Sequence, residues 1–207
     1  MASRLRDAWW IGPVAALAAS GLVGWYAFVA RQPVPILDWF DLAVHEVSHL
    51  VAAPLPSLAM FLAGSVGQVA FPLAMAWYFG IHRRERAAGA FCLAWAGTSA
   101  WDVSVYVADA PVQALPLVGG GQHDWAYILG PRGFDAIEHA ATVARVVDVT
   151  GALLVVVGMV IAGSLLLDRR SGAPVPSETE RSDDDAWAAA ARLPFRYEPV
   201  EERHIVG

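Results

Sequence analysis

One short segment of the 207-residue chain combines metal-binding and acid–base side chains at a spacing suited to chemistry. The segment 45–49 reads HEVSH and matches the pattern His-Glu-x-x-His. On a helix, two His four residues apart project from one face and can share a zinc ion, while the adjacent Glu can act as general base for zinc-bound water. The whole chain contains only six His, so a chance match is improbable. We therefore predict zinc ligands at His45 and His49 and a general base at Glu46.

Further acidic residues share this helical face. The side chains that fall within about an 80° arc at 3.6 residues per turn are Asp38, Asp41, His45 and His49, and Glu46 flanks them. The composition given below indicates a membrane protein, and three unpaired acids within the bilayer would cost on the order of 8–10 kcal/mol. A cation, a water-filled cavity or mutual hydrogen bonds must offset this cost. Asp38 or Asp41 could orient a ligating His, as carboxylates often do around zinc. The alternatives are a structural polar seam and a metal site without hydrolytic activity.

The composition indicates whether these residues lie in a water-soluble protein or in a membrane protein. Hydrophobic residues make up 57% of the chain and charged residues 16%, and the mean hydropathy is +0.45. An ordinary soluble domain is about one quarter charged, so the composition indicates an integral membrane protein. All 14 basic residues are Arg and the net charge is −6, which disfavours a nucleic-acid-binding protein. A single cysteine, Cys92, excludes an intrachain disulfide and a Cys-based zinc site.

The apolar stretches predict an all-α fold, a polytopic membrane helix bundle. They cover residues 9–30, 36–53, 57–80, 87–107 and 136–167. Because Arg concentrates in cytoplasmic loops, we favour four full crossings plus a re-entrant or half-inserted helix at 36–53, which puts seven Arg on one side and two on the other. Five crossings, with six Arg against three, are the alternative. We expect the protein to lie in a bacterial inner (plasma) membrane, in contact with lipid.

The first apolar stretch and the C-terminal tail predict two further features of the chain. The first stretch is longer than a cleaved signal peptide requires and is more typical of a signal anchor. Its small residues recur every fourth position and could admit a partner helix; they are Gly12, Ala16, Ser20 and Gly24. This ladder motivates an alternative function as a non-catalytic membrane subunit in a larger complex. We divide the chain into a transmembrane domain, 1–167, and a Ser/Pro/acid-rich cytoplasmic tail, 168–207, which we expect to be mostly disordered.

The motif-bearing region resembles a known family. A His-Glu-x-x-His motif in a hydrophobic helix, followed by the small-residue segment AGSVGQ at 63–68, is similar to the site-2-protease-type membrane metallopeptidases. The resemblance implies zinc on His45 and His49, Glu46 as catalytic base, and a peptide or a membrane protein as substrate.

The third zinc ligand is left open by the residues themselves. In that family a later Asp, in an N-x-x-P-x-x-x-x-D-G setting, completes the zinc site, and this chain has no such motif. The Gly-rich connection delivers His123 and Asp124 together, and we take them as candidate ligands because glycine lets the backbone approach a site closely. Asp102, in the middle of an apolar stretch, either supports a ligand through a hydrogen bond or is an alternative ligand itself. With Asp148 it could also line the path of a metal or proton carrier.

Overall fold

The structure, a computed structural model, describes residues 10–117 and 121–170, and this part of the chain is helical without any strand. The helices are α1 (Ile11–Gly24), α2 (Leu37–Ala52), α3 (Ser57–Trp77), α4 (Arg86–Asp109), α5 (Asp124–Leu129) and α6 (Ala140–Arg170). The π-helical turns Trp25–Val29 and Tyr78–His82 extend α1 and α3, and a 3-10 turn at Ile137–His139 precedes α6. The predicted all-helical class is confirmed for these residues. The predicted disordered tail lies outside the described residues, apart from the end of α6.

Three helical segments are long and apolar enough to cross a membrane, and they span Ile11–Val29, Ser57–His82 and Ile137–Asp168. With 19, 26 and 32 residues, they match or exceed the roughly 20 residues, range about 17–25, that a hydrocarbon core about 30 Å thick requires. The 24 residues of α4 would also reach across, but their small and polar side chains keep this helix less apolar than the other three. The protein is therefore membrane-like, while the predicted number of crossings stays a prediction.

Helix α4 forms the centre of the bundle. Thirteen of its residues are buried, and most of them are small. Its backbone meets that of α6 directly, because a Cβ added at Gly97 would collide with the carbonyl oxygen of Gly151, and one at Gly151 with that of Gly97. Helices in lipid gain stability from such close backbone approach rather than from hydrophobic burial. The small residues of α4 therefore explain why its neighbours pack tightly around it.

Helix α2 buries polar side chains on one face and exposes apolar side chains on the other. With 16 residues it is about 24 Å long, shorter than the hydrocarbon core. It buries Asp41 and His45 against α3 and α4. Its opposite face leaves Trp39, Leu50 and Val51 about three-quarters exposed. A soluble protein rarely exposes such an apolar face, whereas lipid accommodates it. The helix therefore presents its chemistry inward and its apolar side outward.

The small-residue ladder of α1 is used within the chain. Ala16, Ser20 and Gly24 are buried. Ala16 clusters with Ala90 of α4, and a Cβ at Gly24 would lie 2.7 Å from a methyl carbon of Val155 in α6. The close helix approach that we predicted from the ladder thus occurs between α1 and its own neighbours. At these three positions the chain's own helices occupy the surface predicted for a partner helix.

Candidate metal centre

Two imidazoles of α2 and a carboxylate of α5 converge on one point. Nε2 of His45 lies 3.0 Å from Oδ2 of Asp124, and Nε2 of His49 lies 3.1 Å from the same oxygen. The ring centroids of the two His are 4.7 Å apart, as expected for side chains one helical turn apart. One nitrogen or oxygen from each of the three residues lies within 4.8 Å of the others. Two members of this group are buried and His49 is partly buried, and together they could hold a metal ion.

The hydrogen bonds on the far sides of the rings determine which nitrogens carry protons. Nδ1 of His45 lies 3.0 Å from Oε1 of Gln68, and Nδ1 of His49 lies 2.8 Å from the carbonyl oxygen of Met60. Both partners are acceptors, so each Nδ1 carries a proton, and in a neutral ring this leaves Nε2 unprotonated. The two Nε2 atoms then turn lone pairs towards a carboxylate oxygen that also has only lone pairs to offer. The three atoms therefore require a metal ion or an additional proton between them.

The donor set and spacing fit zinc. Catalytic zinc commonly takes two His and one carboxylate and keeps a fourth position open. Ligands about 2.0–2.1 Å from a tetrahedral zinc lie roughly 3.3 Å from one another. The separations of 3.0 and 3.1 Å between the imidazoles and the carboxylate are within about 0.3 Å of that value. The outer hydrogen bonds of both rings are of the kind that orients zinc-ligating His in other proteins.

Gly64 of α3 makes room for this centre. A Cβ at that position would collide with Nε2 of His49, and it would lie only 2.5 Å from Nε2 of His45. The space beside both donor nitrogens therefore exists because residue 64 has no side chain. One turn further along α3, a Cβ at Gly67 would collide with the hydroxyl of Ser48. These two glycines of the segment 63–68 explain how α3 packs so closely against the His-bearing face of α2.

Asp124 reaches the imidazoles because its backbone is held from two sides. Its N–H donates to the hydroxyl oxygen of Tyr106 on α4, at 3.1 Å. The preceding residue, His123, is the N-cap of α5, and its Nδ1 accepts a hydrogen bond from the N–H of Ala126 at 3.3 Å. The side chain that follows, Trp125, donates to the hydroxyl of Ser65 on α3 at 3.0 Å. Helix α5 is thus attached to both α4 and α3 beside the centre.

Glu46 lies in the wall of a cavity that also contains the three converging residues. The cavity has a volume of about 720 Å³ and reaches the metal-binding group from the side of α4 and the connection after it. Within the described residues, the Glu46 carboxylate accepts no hydrogen bond and forms no ion pair. Apolar walls come from Leu42, Phe61 and Val103. A carboxylate in this setting is available to a water molecule or a substrate entering the cavity.

Several residues predicted for the site have other partners. Asp41, predicted to orient His45, instead accepts hydrogen bonds from Nε1 of Trp95 at 2.8 Å and from the hydroxyl of Ser99 at 2.7 Å. His123, a candidate ligand, lies outside the metal-binding group, because its Nε2 is 3.2 Å from Oδ2 of Asp109. Sequence spacing alone did not distinguish His123 from its neighbour Asp124, and only the latter faces the imidazoles.

Asp102 and Asp38 both line the cavity, but neither belongs to the converging group. Oδ2 of Asp102 accepts a hydrogen bond from Nε2 of Gln68 at 2.6 Å, so the Gln68 amide links Asp102 to the imidazole of His45. Asp102 therefore acts on the centre through an intermediate side chain rather than as a ligand. Asp148, considered above for a carrier path, forms an ion pair with Arg31 at 2.9 Å.

Gln68 and Tyr106 were missed as site residues. Gln68 is 3% exposed and bridges two residues of the site, and its only signal in the sequence was an amide within an otherwise apolar span. Tyr106 gave a weaker signal still, since aromatic residues at span ends are ordinarily interface anchors. Its role depends on the position of α5, which no local pattern of α4 reveals.

Comparisons with known proteins add no relative: no family model, no curated protein and no solved structure matches this chain. The resemblance to site-2-protease-type metallopeptidases therefore stays a prediction that rests on the segments 45–49 and 63–68.

Proposed function

We propose that this protein is an integral membrane zinc metallopeptidase of the site-2-protease-like type, which hydrolyses peptide bonds at or within the membrane. The observation that supports this function is the convergence of His45, His49 and Asp124 in the wall of the cavity that Glu46 also lines. Two imidazoles, one carboxylate and a neighbouring acid–base group are the parts that metal-assisted hydrolysis requires.

The roles of the residues follow from their positions. When bound, zinc polarises a carbonyl and makes water a stronger acid. Glu46 accepts the proton of the attacking water and then passes it to the leaving amine, as a general base and acid. Gln68 and the carbonyl of Met60 keep the two imidazoles turned towards Asp124. A cavity of about 720 Å³ is within the range of small-molecule sites and suits a short stretch of peptide.

The same proposal includes an arrangement in the membrane. Helix α4 forms a fourth crossing beside the three apolar spans, and the shorter α2 is half-inserted with its apolar face towards lipid. The Arg-rich connection 83–86 lies on the cytoplasmic side of a bacterial inner membrane, in keeping with the preference of Arg for that side. The substrate is a peptide or the membrane segment of another protein, since the centre lies beside the apolar spans.

Zinc content and cleavage test this function together. The protein would be purified in detergent with zinc present, and its metal content measured beside cleavage of a panel of fluorogenic membrane-segment peptides. We expect one zinc per chain and cleavage that falls by about 10²–10⁴-fold in Glu46→Gln, with zinc retained, because a general base typically contributes that much. Glu85→Gln removes the same charge from an exposed loop and should change neither quantity.

Two results would overturn the proposal. Folded wild-type protein that takes up no zinc would remove the metal centre. Cleavage that proceeds equally well in Glu46→Gln would show that the activity belongs to another site or to a contaminating enzyme.

A further inference from the structure

Asp124 needs more support than its own helix can supply. Helix α5 has only six residues, and isolated helices below about 12 residues are marginal even with favourable sequences. It begins only four residues after residue 120, at the end of a sequence rich in Gly, so the six residues of the helix have little helical structure before them to build on. Nevertheless Oδ2 of Asp124 lies within 3.1 Å of both imidazoles of α2. Other groups must therefore hold this residue in place.

The ring of His123 is one of these groups, and both of its nitrogens are engaged. Nδ1 accepts the N–H of Ala126, so this nitrogen is unprotonated and the proton resides on Nε2. Nε2–H then donates to Oδ2 of Asp109 at 3.2 Å. The His123 side chain is completely buried. A buried ring with two hydrogen bonds joins the first turn of α5 to the end of α4.

Helix α4 contributes a second contact from the same face. Tyr106 and Asp109 are three residues apart and lie on one side of the helix. The Tyr106 ring stacks on the ring of His123 with centroids 4.2 Å apart, and its hydroxyl accepts the N–H of Asp124. Asp109 is itself held by the N–H groups of Ala114 and Leu115. The backbone at 123–124 is thus held by side chains whose own positions are restrained by hydrogen bonds.

We propose that Tyr106, Asp109 and His123 form a latch that positions Asp124 against His45 and His49 and thereby sets the affinity of the centre for metal. The inference rests on the metal site of the proposed function, but it does not depend on peptidase activity. His123 is a positioning residue here and acts through Asp124 rather than by binding the metal itself. The latch works because it restrains the location of a carboxylate carried on a six-residue helix, which lowers the entropy lost when a metal binds.

Zinc affinity, measured by competition with a chelator on the purified full chain, tests the latch. We expect Asp109→Ala and His123→Ala each to weaken zinc binding by about 10–100-fold, the usual cost of removing a group that orients a ligand. Because the two residues act through one hydrogen bond, the loss in the double variant should be smaller than the product of the two single losses. His139→Ala removes an exposed imidazole and should leave the affinity unchanged. Losses that simply multiply, or affinities within twofold of wild type, would overturn the latch.

A rescue variant separates positioning from direct ligation. In His123→Asn the side-chain oxygen can still cap α5, so part of the affinity should return relative to His123→Ala. The cobalt-substituted proteins should have the same visible absorption bands in wild type and His123→Asn, because the ligands are the same. Bands that shift on this substitution would make His123 a ligand and overturn the proposal.

A gentler variant covers the case in which His123→Ala does not fold. Tyr106→Phe keeps the stacked ring but removes the acceptor for the Asp124 N–H, and we expect it to weaken zinc binding with the thermal transition retained. Wild-type protein that binds no zinc would overturn the proposed function and the latch together. Wild-type zinc binding that Tyr106→Phe leaves unchanged would overturn the latch alone.

Discussion

Replacing Gly64 by alanine should remove metal binding while leaving the fold largely intact. The added Cβ would lie 2.5 Å from Nε2 of His45 and 2.7 Å from its Cδ2, and closer still to Nε2 of His49. Favourable contacts of carbon lie at about 3.5–4.0 Å, so each ring would have to withdraw by about 1 Å. A zinc–nitrogen bond is only about 2.0–2.1 Å long, and a metal ion cannot follow both rings as they separate.

The effect on affinity should exceed the effect on stability. Displacing groups that merely orient ligands costs about 10–100-fold in metal affinity, so direct displacement of two ligands should cost at least about 100-fold. For folding, overpacking costs about 1–3 kcal/mol. Alanine in a helix interior recovers about 1 kcal/mol relative to glycine. The net loss of about 0–2 kcal/mol should lower the melting temperature by only a few degrees.

Two glycines of the same continuous helix serve as controls. Gly80→Ala places its Cβ 3.8 Å from the nearest atom, an ordinary contact, and should affect neither property. Gly67→Ala collides with Ser48 of α2 but not with the imidazoles, so it should lower the melting temperature and should weaken zinc binding less than Gly64→Ala does. Isothermal titration with zinc and thermal unfolding in detergent would measure both quantities. If Gly64→Ala binds zinc within twofold of wild type, the metal does not lie between these imidazoles.

Three further substitutions probe the surroundings of the centre. Gln68→Ala removes the acceptor that holds the first imidazole of α2, and zinc affinity measured by chelator competition should fall by about 10–100-fold; an unchanged affinity would deny that role to the amide. Asp41→Ala leaves the donors of Trp95 and Ser99 without their acceptor, which should cost about 1–3 kcal/mol for each group that stays buried and unpaired. A melting temperature equal to that of wild type would show that the two donors lose nothing when Asp41 is removed. Arg31→Ala breaks a half-exposed ion pair with α6, so the free energy of unfolding should fall by less than about 1 kcal/mol. A larger fall would show that this pair stabilises the fold more than a surface ion pair does.

The parts of the site that sequence could predict are those that one helix determines. His45 and His49 share a face because their spacing is one helical turn, and this relation holds wherever the helix lies. The helical stretches themselves were located to within a few residues, since apolar runs bounded by Pro, Gly and Arg leave little choice of ends. The exception is α5, for which no helix was predicted in the Gly-rich connection, because six residues are too few to show a periodicity.

The partners of the helical face were harder to predict. Sequence reasoning assigned the orientation of His45 to Asp38 or Asp41, which lie on its own helix. The structure instead provides Gln68 from α3, while Asp41 turns to α4. Carboxylates on one helical face point outward together, so they meet the neighbouring helices before they meet one another. Which neighbour supplies a given hydrogen bond depends on interhelical packing, which no single helix contains.

Composition and local spacing therefore determined that this is a membrane-like helical protein with two imidazoles and several carboxylic acids on one face of a short helix. Tertiary structure decided which residue completes the group. Asp124 is 79 residues from His45 along the chain, and its neighbour His123 is equally able to bind metal by its chemistry. The capping geometry of α5 and the contacts of Tyr106 and Asp109 turn one of these two side chains to the imidazoles and the other away. Adjacent residues at a helix start point in different directions, and only the packing of that helix determines which of them meets the site.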